Sequence, residues 1–161
     1  MKKLFYASLG YLVLGLAAGL FYREFTKAND FGHSAFTQLS VVHTHLLVLG
    51  FLVLLVVLIL EKVFLLSRSR VFPWFFWIYN VGLLLTAAML TTHGVQTVLG
   101  APTSAAIAGM AGLGHILLGA GMVLLFVALG GRLNANGSLP AAGRGMASAA
   151  TGDVAAEVVS K

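Results

Sequence analysis

Three stretches of the chain carry no Asp, Glu, Lys or Arg: Leu4 to Tyr22, Phe31 to Leu60 and Val71 to Gly131. A charge at mid-bilayer costs about 2.5–3.5 kcal/mol even on the lenient insertion scale, so such runs mark where a chain can cross a membrane. The first run is 19 residues long, enough for one helix when about 20 residues span the hydrocarbon core. The second, of 30 residues, opens on the polar stretch Gly32-His33-Ser34-Ala35-Phe36-Thr37-Gln38, which reads as a loop ahead of the apolar segment from Leu39. The third, of 61 residues, holds two crossings separated by a connection from His93 to Ser104. The pattern predicts an all-α integral membrane four-helix bundle with helices over 4–22, 38–60, 72–92 and 105–131. Pro73 falls in the first turn of the third helix, where its missing N–H is no loss.

Composition agrees. The chain of 161 residues is 59% hydrophobic and 9% charged, with a mean hydropathy of +0.96; a soluble domain carries about 25% charged residues. The absence of cysteine excludes disulfides, thiolate zinc sites, iron–sulfur clusters and covalently attached haem. The net charge of +5 is a matter of topology. Lys2, Lys3, Lys62, Arg68, Arg70, Arg132, Arg144 and Lys161 fall on one side of a four-span arrangement, Arg23 and Lys27 on the other. The positive-inside rule then places both termini in the cytoplasm. Met1-Lys2-Lys3 before an apolar run also resembles a secretory signal, but three further spans follow it. Residues 133–161, rich in Ala, Gly and Ser without aromatics, read as a disordered cytoplasmic tail. No internal repeat and no heptad pattern is visible. Gly15-Leu16-Ala17-Ala18-Gly19 is a small-xxx-small motif, suited to close helix packing within the bundle or across a homo-oligomer. Trp74, Trp77 and Tyr79 suit an interfacial aromatic belt, and Asn80 is expected to hydrogen-bond across helices.

All five histidines lie in the charge-free runs. His33 belongs to the first external loop. An ionisable residue inside a membrane points to function, because something must compensate its cost. At 1.5 Å per residue, His43 lies about 7 Å and His45 about 10 Å below the outer entry of the second helix, and His115 about 15 Å below that of the fourth. His93 stands at the outer exit of the third. His43 and His45 point about 200° apart, so they do not serve one mononuclear site. Ala111, Gly112 and Gly119 strip bulk from the His115 face, and Ser40, Leu47 and Gly50 share a face with His43. A flat porphyrin needs such clearance, which pairs His43 with His115. Depth instead couples His45 with His115 and His43 with His93. Arg23, just past the first helix on the outer side, could meet the propionates of a haem in the outer leaflet; a local pair with Glu24 is the plainer role.

The predicted spans contain no Asp or Glu. That weakens proton-coupled transport and oxygen-ligated Mg²⁺ or Ca²⁺, whereas imidazole-only sets suit haem iron, copper or zinc. No nucleophile–base pair, phosphate loop or carboxylate dyad is present, so hydrolase and transferase chemistry is not indicated. The segment His43-Thr44-His45-Leu46-Leu47-Val48-Leu49-Gly50-Phe51 resembles the second-helix motif of the haem–copper oxidase and nitric oxide reductase large subunits, where such a histidine is an axial ligand of haem b. Over most of residues 1–130, including Lys3-Leu4-Phe5 and Tyr22-Arg23-Glu24-Phe25-Thr26-Lys27, the chain is similar to small four-span bacterial proteins of unknown function classed beside them. The resemblance implies the bacterial cytoplasmic membrane and His43 as an axial ligand; His115, from the clearance on its face, is the candidate for the opposite one. This chain is too short for the further helices of the large enzymes, so oxygen reduction is not implied. The expectation is a b-type haem protein acting in electron transfer or gas and redox sensing. His45 and His93 would form a second ligand set, for another haem or for copper. A copper or zinc carrier, or an accessory subunit of a respiratory complex with a redox partner, is the alternative.

Overall fold

The computed structural model describes residues 1–32 and 35–137. His33 and residues 138–161, with Arg144, Lys161 and most of the expected tail, lie outside the described residues. Four long helices follow one another: α1 Lys2–Ala28, α2 Leu39–Phe64, α3 Phe72–Val98 and α4 Ala105–Gly137. Each is long and apolar enough to cross a membrane, and among the described residues there is no strand. Pro73 sits in the first turn of α3 as expected.

Every helix runs past its predicted end, because interfacial turns add local hydrogen bonds that hydropathy does not register. At the end of α1, Asp30 adopts φ +48°, its N–H reaches Lys27 O, and Phe31 N–H reaches Thr26 O at 3.0 Å. At the end of α3, Gly100 adopts φ +64°, with Gly100 N–H on Thr97 O and Ala101 N–H on Gln96 O at 2.9 Å. Both are left-handed caps that satisfy the last carbonyls. Residues 93–98, expected in a loop, are helical: Gly94 lies flat against Leu39, and Thr37 Oγ1 donates to Gly94 O at 2.9 Å. α4 continues through Gly137, six residues past Gly131, so the start of the expected tail is helical.

The helices alternate in direction, which places the α1–α2 and α3–α4 connections at one end, here the loop end, and the termini at the other. α3 and α4 form the most extensive pair. The buried positions of α4 are Gly114, Leu118, Gly121, Leu125 and Ala128, of which Gly114, Leu118 and Gly121 meet Tyr79, Gly82 and Thr86 of α3. Both sets step by alternating threes and fours, the heptad spacing of left-handed packing. The sequence shows no heptad because almost every position of α4 is apolar; the seam is written as small against large. On α1, Gly15 packs against Leu47 and Gly19 against His43, so the small-xxx-small motif closes the α1–α2 interface. Asn80 bridges helices as expected, accepting from Tyr11 Oη at 2.8 Å. Trp74 and Trp77 are exposed to the surrounding medium. Tyr79 is 1% exposed and faces the core, two residues and about 200° around the helix from Trp77, which removes it from the aromatic belt.

One carboxylate does lie inside a helix core. Glu61, 3% exposed near the end of α2, accepts from Ser67 N–H at 2.7 Å and Ser67 Oγ at 2.6 Å. It closes the turn into α3, where Leu65 takes φ +55° and Arg132 Nε donates to Phe64 O at 3.0 Å. It lies in the last turn of α2, beyond Leu60 where the charge-free reading ends. Glu61→Ala strands these Ser67 donors, and a loss of about 1.5–3 kcal/mol is expected, read as a lower thermal unfolding midpoint in detergent.

Candidate functional site

The middle of α2 is not α-helical. Leu46–Leu52 form a π-helical segment, entered from Leu39–His45 and left at Val53. Its effect shows in the buried positions, which run Leu39, Val42, Leu46, Gly50, Leu54, Val57, Glu61. Three successive steps of four, from Val42 to Leu54, would drift about 120° around an ordinary α-helix. The wider turn absorbs that drift. An uninterrupted helix traced back from Val57, Leu54 and Gly50 would bury Leu47 and His43, the face expected from sequence. The structure buries Leu46 and Val42 instead and turns His43 aside.

The consequence for the histidines is direct. His43 faces α1 beside Gly19; its Nδ1 is buried without a hydrogen-bond partner, and its Nε2 lies 3.4 Å from Thr44 Oγ1. His45 faces α4. Its ring stands 6.2 Å from that of His115, centroid to centroid, with the planes at 87°. The partner brought to His115 is thus His45, as depth suggests, while His43 belongs to the α1–α2 interface. His93, in the last turns of α3, is half-buried. Among the described residues its ring makes no hydrogen bond or ring contact. No three His, Asp or Glu side chains among the described residues converge as a closed metal cage requires.

The two paired imidazoles share one feature. His45 Nδ1 lies 2.9 Å from Val41 O and His115 Nδ1 lies 2.8 Å from Ala111 O, each one turn back on its own helix. A carbonyl can only accept, so in each ring Nδ1 carries the proton and donates. In the neutral ring, Nε2 then carries the lone pair. A ring held this way has its tautomer and orientation fixed for ligation by the nitrogen opposite.

The surroundings are open on the α4 side. A Cβ added at Gly109, Gly112 or Gly119 would meet nothing within 4 Å, so the clearance expected around His115 is present. Gly50, expected to clear space by His43, is filled by the Tyr11 ring. Farther toward the terminal end, α2 and α4 stand apart around an apolar cavity of about 340 Å³, lined by Leu52, Val56, Leu60, Met122, Phe126 and Leu129 among others. α2 and α4 run parallel, so the histidine pair stands at the loop-end side of this groove. Cavities of roughly 300–1,000 Å³ are those that hold organic ligands.

Arg23 is not at this site. α1 continues to Ala28, so Arg23 is a helical residue rather than the first beyond a span. It is 74% exposed and pairs with Glu24 at 3.6 Å, the plainer of its two expected roles. α1 makes no extended contact with α4. Arg23 and Lys27 instead line a separate groove of about 450 Å³ with Tyr22, Thr26 and Asp30. The feature that sequence reasoning missed is the π-helical turn, which leaves no mark in an apolar run.

The family described as protein of unknown function (DUF2871) matches residues 1–132, and the chain belongs to that family. No curated protein and no solved structure matches it.

Proposed function

We propose that this DUF2871 member is a membrane haem protein in which His45 and His115 hold a b-type haem between α2 and α4. The observation that carries the reading is the pair of imidazoles from two helices, each with Nδ1 committed to a carbonyl and Nε2 left to ligate. His45 and His115, with ring centroids 6.2 Å apart, would both hold the iron. The glycine face of α4 and the aliphatic groove beyond the rings offer a flat apolar ligand its space. This replaces the pairing of His43 with His115 by that of His45 with His115, and it leaves His43 and His93 outside the ligand set.

A haem held by two histidines is coordinatively saturated and supplies one-electron transfer rather than gas binding. The protein's part is to fix both rings, exclude water with the aliphatic groove and set the dielectric around the metal. The loop end faces the outside of a bacterial cytoplasmic membrane on this reading, because Lys2, Lys3, Lys62, Arg68, Arg70 and Arg132 all lie at the terminal end. An electron partner would then meet the haem from the outer side.

Metal analysis of the protein purified in mild detergent, from cells supplied with a haem precursor, tests the proposal. About one iron per chain, with copper and zinc well below it, is expected from a single two-histidine site. Copper or zinc at that stoichiometry without iron would move the function to metal handling by the same imidazoles. No metal at all would leave the histidines as helix-bonding groups.

A further inference from the structure

Two side chains from neighbouring helices reach into the π-helical turn of α2. Tyr79 Oη, from α3, donates to Leu49 O at 2.9 Å, and Ser8 Oγ, from α1, donates to Phe51 O at 3.0 Å. A widened turn serves its carbonyls less well with the helix's own N–H groups, and inside a membrane each such oxygen must find a donor. Gly50 lies between these two carbonyls, where a Cβ would run into the Tyr11 ring. The turn is therefore gripped from two sides, immediately after His45.

We infer that Ser8 and Tyr79 are positioning residues that latch the π-helical turn, and that the turn selects which side chain of α2 faces His115. The functional meaning rests on the proposed haem site; the geometry does not. Deleting one residue from Leu46–Leu52 would remove the wide turn and keep the present faces, because Leu46 and Gly50 would then stand three apart; closing the turn at full chain length instead rotates the loop-end half of α2 by about 100° relative to the rest. Leu47 and His43 then take the core positions now held by Leu46 and Val42. By the same one-residue shift Leu46 takes the place of His45, and His115 loses its imidazole partner.

The chain has no cysteine, so cross-linking reads this without haem. Two pairs are compared in membranes with a short thiol cross-linker: His45→Cys with His115→Cys, and Leu46→Cys with His115→Cys. In the intact chain the first pair is expected to react faster. Deleting Val48, an exposed residue within the turn, is expected to keep that order and to make it independent of Ser8 and Tyr79. The Ser8→Ala/Tyr79→Phe double variant keeps chain length and is expected to lower the ratio of the first rate to the second by about tenfold, as the loss of two hydrogen bonds implies. Restoring Tyr79 alone should recover part of that ratio. An order that the deletion reverses, or a ratio that the double variant leaves unchanged in the full-length chain, would overturn the inference; if the deletion variant does not fold, the double variant decides. A wild-type protein without haem overturns the proposed function alone, because the cross-linking ratio is measured in its absence.

Discussion

Replacing His45 with alanine is expected to remove the haem signal of the purified protein, while His43→Ala retains it. Losing even an outer partner of a metal-bound histidine costs about 10–100-fold in affinity, and losing the ligand itself costs at least as much. His115→Ala should match His45→Ala in haem content, because the proposed site needs both rings. Neither change should unfold the protein: each ring bonds only to a carbonyl of its own helix, besides touching the other ring. Thermal midpoints close to wild type, together with haem-to-protein ratios that fall by about tenfold or more, are the expected pattern. Loss of haem in His43→Ala but not in His45→Ala would return the site to the α1–α2 interface.

The second large effect concerns the helix pair that carries His115. A Cβ at Gly114 would run into Thr86 Oγ1 and stand 3.0 Å from Thr86 N and 3.2 Å from Gly82 O. Backbone atoms cannot rotate away, so Gly114→Val forces α3 and α4 apart at their closest approach. Overpacking of this kind costs about 1–3 kcal/mol, and it displaces the residue next to His115, so stability and haem content should fall together. Gly112→Leu separates the two effects. Nothing lies within 4 Å of a Cβ there, so stability should stay within about 0.5 kcal/mol of wild type, while bulk over the His115 face lowers haem binding. Thermal unfolding and haem content measured on the same samples distinguish the cases.

The four spans are legible in the sequence because mid-bilayer charge is costly and its absence is unmistakable over runs as long as Val71 to Gly131. Their ends are less so: the caps at Asp30 and Gly100 depend on backbone hydrogen bonds in segments that are already polar. The histidine cluster is legible as a set, but its pairing is not. Ser40, His43, Leu47 and Gly50 share a face only if α2 is α-helical throughout, and the π-helical turn moves the buried face to Val42 and Leu46. Nothing in Leu46-Leu47-Val48-Leu49-Gly50-Phe51-Leu52 announces that turn, because its donors, Ser8 and Tyr79, lie on other helices. Glu61 is visible as a residue but not as a buried one. Its partner Ser67 follows the end of α2, and only the chain reversal at Leu65 brings them together.

The dithionite-reduced minus oxidised absorption spectrum of the purified wild-type protein, with a pyridine haemochrome assay for stoichiometry, tests the central claim most directly. A sharp b-type difference spectrum with about one haem per chain is the predicted result, as a single two-histidine site requires. A featureless spectrum that persists when haem is supplied during expression would contradict it.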